Sequence, residues 1–385
     1  MEIGSFLELD LRDTGELFDG SEVCRLNLNR AGIYHCCRLL NVNKVLLPYY
    51  ECFTVRDFLL GKGLKVDYYH IDKDFMPLDI SQGDDTAIVF VNYFGLMSTE
   101  HMLSLIEGYK NVIIDNAQSL FAKPINGVYN VYSPRKFVGV PDGCYVVGPD
   151  AVRFSDEYDQ DLSSETAGFL LQRIEVGCNS AYQYRQLNEK RLDMSNISRM
   201  SILSRAILKN APYGYIKNKR FENFNLASDL YSSMNKINPH IYFDDNCVPF
   251  VYPLVVEKSD MVDLLSKEKI YTGRWWNYLL KETDSTSFSS RACALMVSSS
   301  SSLGMTSFLP QPHPSKPEDS PTGMYSMKRT CSGRSTESLA KPRKSWFKLR
   351  TATALIFTGS KPAASSASMP ASVSSRYPTR VTMCN

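Results

Sequence analysis

The chain has no apolar run near the roughly 18–20 residues that a membrane span requires; its most apolar stretches are short, such as residues 86–94 (TAIVFVNYF). The start, Met-Glu-Ile-Gly-Ser with Asp10, Arg12, Asp13 and Glu16 close behind, lacks the basic opening and apolar stretch of a signal peptide. A cytoplasmic location without a membrane partner is the expectation. No GxGxxG follows the first apolar strand and no GxxxxGK[ST] occurs, so dinucleotide and P-loop readings lack support. The 10 cysteines are scattered, and the adjacent pair Cys36-Cys37 has no CxxC partner. Buried reduced thiols are therefore expected rather than disulfides or zinc, and no metal ligands are assigned. One further scarcity divides the molecule. After Ser290 there are 95 residues with one isoleucine (Ile356), one asparagine (Asn385) and 3 Asp+Glu against 13 Lys+Arg.

The net charge of +2 is therefore a sum of unlike parts, with 30 Lys+Arg and 38 Asp+Glu before residue 291 (−8) and +10 after it. The acidic body argues against nucleic acid as a partner, even at the basic stretch 210–220. In the body, residues 30–40 (RAGIYHCCRLL) place Ile33, Cys36, Cys37 and Leu40 on one helical face, with Asn29 as a cap. Residues 44–47 read as a buried strand halted by Pro48, 52–62 as helix, 65–71 and 86–92 as strands, 98–109 as helix, 111–115 and 144–147 as strands. Residues 175–192 read as a helix whose mixed charges form a solvated face. Strands too continuously apolar to have a wet side, alternating with helices, predict a mostly parallel sheet sandwiched by helices.

In such sheets ligands sit beyond the carboxyl ends of the strands. Those positions read Pro48-Tyr49-Tyr50-Glu51, Asn92-Tyr93-Phe94-Gly95 and Asp115-Asn116-Ala117-Gln118, polar and aromatic for connectors. Asp115 suits two tasks: capping a following turn, or holding a proton on a heterocyclic nitrogen by a charge-assisted hydrogen bond. Further on, Ser133-Pro134-Arg135-Lys136-Phe137 precedes Gly139-Val140-Pro141-Asp142-Gly143 and a strand. A lysine between proline, an aromatic ring and two glycines sits on a shaped loop, where partial desolvation would make the amine nucleophilic, although an isolated lysine is by default a solvated surface group.

A strand ending in Asp-x-Ala-Gln, a loop with aromatic-polar-x-x-Lys, then Gly-x-x-[Asp/Glu]-Gly and a strand resembles the DegT/StrS family of nucleotide-sugar aminotransferases. These are pyridoxal-phosphate enzymes of fold type I, aspartate-aminotransferase-like. Upstream, Asn29-Arg30-Ala31 resembles the family's phosphate turn, Pro48-Tyr49-Tyr50 its Pro-x-[Tyr/Phe] turn, and Asn92-Tyr93-Phe94-Gly95 its His-x-Tyr-Gly segment. The likeness covers about residues 20–150 and continues more faintly to about 280. It implies that Lys136 forms the internal aldimine with pyridoxal 5'-phosphate and moves the proton, and that Asp115 pairs with the pyridinium nitrogen. It also implies Gln118 beside the ring oxygen, Asn29 and Arg30 at the phosphate, Ser133 in place of the family's serine five before the lysine, and Tyr50 near the ring. The ring-stacking position falls at or near Cys52. Arg30 departs from the family's small Gly-Thr or Gly-Ser pair, and the Asn-Tyr-Arg-Met stretch that reaches the neighbouring subunit is not recognisable.

The resemblance implies an amino-acid donor such as glutamate, a nucleotide-linked keto-sugar acceptor in surface polysaccharide or related biosynthesis, and a homodimer. Trp275-Trp276 resembles the small-domain strand end that faces the active site, although buried packing is the favoured role of both rings. The alternative is an aminotransferase-like fold that is catalytically impaired or has a binding or scaffold role. The domain expectation is a large cofactor domain at 1–215, a partial small α/β domain at 216–290, and a Ser/Pro-rich basic tail at 291–385. The tail, with 20 Ser, 9 Thr and 9 Pro, lacks sustained periodicity. It reads as a disordered appendage or as translation of a shifted frame from about residues 285–292; the joint loss of Ile, Asn and acids favours the second.

Overall fold

The computed structural model describes residues 6–78, 80–256, 261–267, 271–273, 275–276 and 292–295. Almost all of the expected tail lies outside the described residues, as do most of residues 257–290. In chain order the elements are β1 (Val23–Leu26), α1 (Asn29–Leu40), β2 (Lys44–Pro48), α2 (Phe53–Gly61), β3 (Lys65–Ile71), β4 (Pro77–Leu78), β5 (Thr86–Val91), α3 (Thr99–Ile106), β6 (Val112–Asn116), β7 (Tyr129–Tyr132) and β8 (Cys144–Val147). There follow α4 (Gly168–Met194), α5 (Ile202–Lys209), α6 (Tyr213–Tyr231), β9 (Tyr252–Val255), α7 (Met261–Lys267) and β10 (Ala292–Leu295).

Eight strands form one sheet in the order β1-β8-β7-β6-β5-β2-β3-β4. The run β7-β6-β5-β2-β3 is parallel, while β8 is antiparallel to both its neighbours and β4 to β3. The register places Val91 opposite Asp115 and Asp115 opposite Val131. A strand's side chains alternate between faces, so a doubly covered sheet must feed two cores from one strand. β5 does so: Ile88 and Phe90 enter one core, Ala87 and Val89 the other. The first core includes Met102, Leu208, Ile216 and Phe224 from α3, α5 and α6; the second includes Ile33, Cys36, Cys37, Val55 and Leu59 from α1 and α2. Each fully buried Val, Leu, Ile or Phe contributes about 1.5–3 kcal/mol relative to exposure.

Two glycines set close approaches. A Cβ at Gly32 would lie 2.7 Å from Cys144 Sγ and from Val131 Cγ1, so α1 packs hard on β7 and β8 because that position has no side chain. Gly95 has φ +71° and a Cβ there would lie 2.4 Å from the Val248 carbonyl oxygen and 2.9 Å from that of Gln118. The turn after β5 thereby brings residues 248–250 against the strand ends, and Phe250 N–H donates to the Phe94 carbonyl at 2.7 Å.

Several expectations need correction. Leu28, not Asn29, occupies the cap position of α1, and no side chain caps that helix. α3 stops at Ile106 rather than 109, because Glu107 leaves the helix and Gly108 takes φ +83°. The 175–192 helix is longer, Gly168–Met194, and is broken at Gly177, whose φ of 80° and ψ of −176° no helix accommodates. β10 pairs antiparallel with β9. Cys24, Cys36, Cys37 and Cys144 are buried and free, and burial raises their thiol pKa values. No described helix is long and apolar enough to cross a membrane.

Candidate active site

The carboxyl ends of β5 and β6, the start of α1 and the turn before β8 enclose an open cleft of about 560 Å³, counting the space open to solvent. Asn29, Arg30, Asp115, Gln118, Ser133 and Lys136 all line it. Tyr50 does not: it is buried beside the cleft, its ring 4.6 Å from Trp276 and 5.8 Å from Tyr93. Trp276 lines the cleft, and Cys52, at the expected ring-stacking position, lines it as well.

Lys136 ends a single 3-10 turn, Pro134–Lys136, which Pro134 starts with its fixed φ. Its Nζ lies 5.8 Å from the ring centres of both Phe250 and Trp275. The loop is pinned at three places. Arg220 Nη2 donates to the Lys136 carbonyl at 3.1 Å. Arg135 Nη2 meets Glu189 of α4 at 2.7 Å. Asp142, from the Gly-x-x-Asp-Gly run, accepts from Ser201 N–H at 2.9 Å and Ser201 Oγ at 2.5 Å at the start of α5.

Asp115 is 4% exposed at the end of β6. Its Oδ1 accepts from Ala117 N–H at 2.7 Å and from Asn29 Nδ2 at 3.0 Å. The local turn that capping chemistry foresaw is present, and Asp115 also lines the cleft. Gln118 accepts from Phe94 N–H at 2.8 Å through Oε1, which leaves its amide NH₂ as the group it can offer.

The start of α1 opens on the same cleft through Leu28, Asn29 and Arg30. Without a side-chain cap, the first-turn N–H groups and the positive helix end favour an anion. Arg30 is held sideways: Nη2 donates to the Leu192 carbonyl at 2.6 Å and Nη1 lies 3.6 Å from Asp193. Burial lowers the pKa of Arg30 and of Arg135, while Asp193 and Glu189 respectively oppose that loss of charge. The two acids stand one turn apart on α4, so one helix restrains both arginines. Asn29 Oδ1 and Arg135 Nε are buried without a hydrogen-bond partner among the described residues, polar atoms that a ligand would satisfy.

Arg135, Arg220 and Glu51 had no role in the sequence reading. Glu51 lay in a segment singled out as polar beyond a strand end, which is a usable signal. Arg220 ended the basic stretch 210–220, weighed only as an improbable nucleic-acid patch, and nothing local marks it as buried.

No family model matches the chain, and no curated protein matches it. Among solved structures, NtdA from Bacillus subtilis with bound cofactor PMP superposes with a TM-score of 0.52 at 14% identity, over 74% of this chain and 71% of that one. The sugar aminotransferase CalS13 from Micromonospora echinospora gives 0.49 at 17% identity, over 72% and 83%. The putative sugar aminotransferase Spr1654 from Streptococcus pneumoniae gives 0.47 at 13%, over 72% and 81%. The NtdA superposition and the sheet order together define the architecture: this is the α/β sandwich of pyridoxal-phosphate fold type I.

Proposed function

We propose that this chain is a pyridoxal-phosphate-dependent aminotransferase that passes an amino group from an amino acid, glutamate being the donor of choice, to a nucleotide-linked keto-sugar. The observation that carries this reading is convergence: an amine, a buried carboxylate and an uncapped helix start, from separate segments, line one cleft at the carboxyl ends of a parallel sheet. These groups suit the cofactor's three demands, an amine for its aldehyde, an anion for its ring cation and donors for its phosphate. When bound, the cofactor would supply an electron sink for charge developing at the carbon that loses a proton.

Lys136 Nζ would hold the cofactor and then carry that proton, with Phe250 and Trp275 keeping water from the amine. Asp115, fixed by Asn29 and Ala117, would hold the proton on the ring nitrogen. The start of α1 and Ser133 would take the phosphate, and Gln118 NH₂ would reach the ring's edge. Arg30, tied to α4, would contribute positive potential there.

The proposed partner is a second copy. Beyond Gly177 and before it, α4 is nearly bare, with Leu171, Ile174 and Leu187 at 62%, 77% and 60% exposure. A helix with apolar groups exposed along its length lacks a covering surface. Absorbance spectroscopy tests the function: the protein with added pyridoxal phosphate should be yellow and should bleach with glutamate, and Lys136→Ala should be colourless. A colourless wild type refutes the reading, and colour without bleaching favours an impaired or binding-only fold.

A further inference from the structure

Arg30 and Arg135 line the cleft, and the side chain of each is 5% exposed. Neither guanidinium is fully used. Arg135 Nη2 meets Glu189 Oε1 at 2.7 Å, while its Nε is buried without a hydrogen-bond partner among the described residues. Arg30 Nη2 donates to the Leu192 carbonyl at 2.6 Å, and its guanidinium lies 5.7 Å from the Phe58 ring centre. Its Nη1 is buried and unpartnered as well, because Asp193 Oδ1 at 3.6 Å is too far for a hydrogen bond. Buried donors are as a rule satisfied by protein or by a bound group. Both of these orphans are N–H groups on a cation, and they share the cleft with the start of α1, whose first-turn N–H groups have no side-chain cap. Donors of this kind, from two separate segments, suit an oxyanion with several acceptor oxygens.

The acids of α4 account for two buried cations in one place, since an unpaired buried charge is costly. They are less firmly committed than the arginines. Asp193 is 42% exposed, and Glu189 Oε1 also lies 3.6 Å from Arg185 Nε. Two guanidinium groups against two carboxylates leave this cluster neutral, so each acid offsets part of the attraction that an entering anion would feel. Asp115, a further acid on the cleft, has its Oδ1 taken by Asn29 Nδ2 and Ala117 N–H.

We propose that Arg30 and Arg135, with the start of α1, bind a phosphate group, and that Glu189 and Asp193 position the two guanidinium groups while weakening that binding as competing anions. That the phosphate is the cofactor's deepens the aminotransferase reading and rests on it, whereas the oxyanion site itself does not.

Calorimetric titration of inorganic phosphate into the full chain, freed of cofactor, tests the site. Wild type should take up one equivalent. Arg135→Gln removes the charge and the Nε donor, and should weaken binding about tenfold or more. Glu189→Gln keeps an acceptor for Arg135 Nη2 but loses the competing charge, and should tighten binding about threefold. A merely structural support would not produce that gain. The proposal is overturned by a wild type that does not bind phosphate, by Arg135→Gln binding as well as wild type, or by Glu189→Gln binding no more tightly. Should Arg135→Gln fail to fold, the isosteric Glu189→Gln decides. Pyridoxal phosphate then identifies the source of the phosphate: it should displace the inorganic ion as visible absorbance appears. Phosphate bound through Arg135 in a protein that gains no visible absorbance would uphold the oxyanion site and overturn the cofactor reading. Absorbance that neither Arg135→Gln nor added phosphate diminishes would uphold the cofactor reading and overturn this inference.

Discussion

Replacing Arg220 with methionine should both destabilise the protein and loosen the lysine loop. Arg220 projects from α6 into the first core, where it is 4% exposed. It donates to three carbonyl oxygens, those of Phe250 at 2.8 Å, Lys136 at 3.1 Å and Pro249 at 3.3 Å. Its guanidinium lies over Phe137 at 4.3 Å and Phe250 at 5.6 Å. Burial pulls its pKa down to about 9, so the group stays charged at neutral pH. The fall from 12.5 corresponds to about 5 kcal/mol of desolvation cost at 1.36 kcal/mol per unit. Against this stand three charge-assisted bonds at about 1.5–3 kcal/mol each and ring contacts of about 1–2 kcal/mol. The charge is thus held at a modest net gain. Methionine removes the desolvation cost but leaves three buried carbonyls unpaired, at about 1–3 kcal/mol apiece. The expected loss is about 2–4 kcal/mol, read as a lower urea midpoint at unchanged slope. Because one of those carbonyls belongs to Lys136, cofactor-dependent visible absorbance should also weaken. Lysine, a point charge that cannot fork to two segments, should restore little of either. If Arg220→Met unfolds at the wild-type midpoint and binds pyridoxal phosphate equally well, the pinning argument fails.

Gly95→Ala should cost about 2 kcal/mol or more, because it combines positive φ with a Cβ 2.4 Å from a carbonyl oxygen, whereas Gly61→Ala, in open space without positive φ, should be neutral or stabilising; equal urea midpoints for the two variants would contradict this. His35 is buried, in hydrogen bonds at 2.8 Å with Tyr158 Oη and the Ala151 carbonyl, and burial lowers its pKa from 6.5. The unfolded chain therefore binds the proton first, so stability should fall as pH drops below about 6.5 through the lower folded value, and His35→Gln should flatten that slope in thermal melts taken across this range. Ile174→Glu with Leu187→Glu should convert a dimer to monomer by light scattering without lowering secondary-structure content; a wild-type monomer would refute the partner assigned to α4.

Periodicity and β-branched content made α1, β2, α2, β3, β5, α3, β6 and β8 legible, since those signals act within a few residues, whereas β1, β4 and β7 went unread. β3 and β8 have the sequence-derived ends, and α1, β2, α2 and β5 lie within a residue or two of theirs. Asp115, at the end of its strand, was visible in the same way, because the carboxyl edge of a parallel sheet is where such groups converge, whereas Ser133 and Lys136 were picked out by their loop pattern and the family resemblance. What only the tertiary structure decided depends on partners distant in sequence. α1 could be seen to lack a cap only once Asn29 was found turned to Asp115, 86 residues away. The burial of Arg220 depends on carbonyls at 136, 249 and 250, and its basic neighbours argue for solvent. The restraint of Arg30 and Arg135 comes from α4, more than 50 residues on. Glu51 shows the limit most sharply: a carboxyl group after a strand is acidic by sequence, and only in the folded site do burial first and then the charge of Asp115 push its pKa well above the usual carboxylate range.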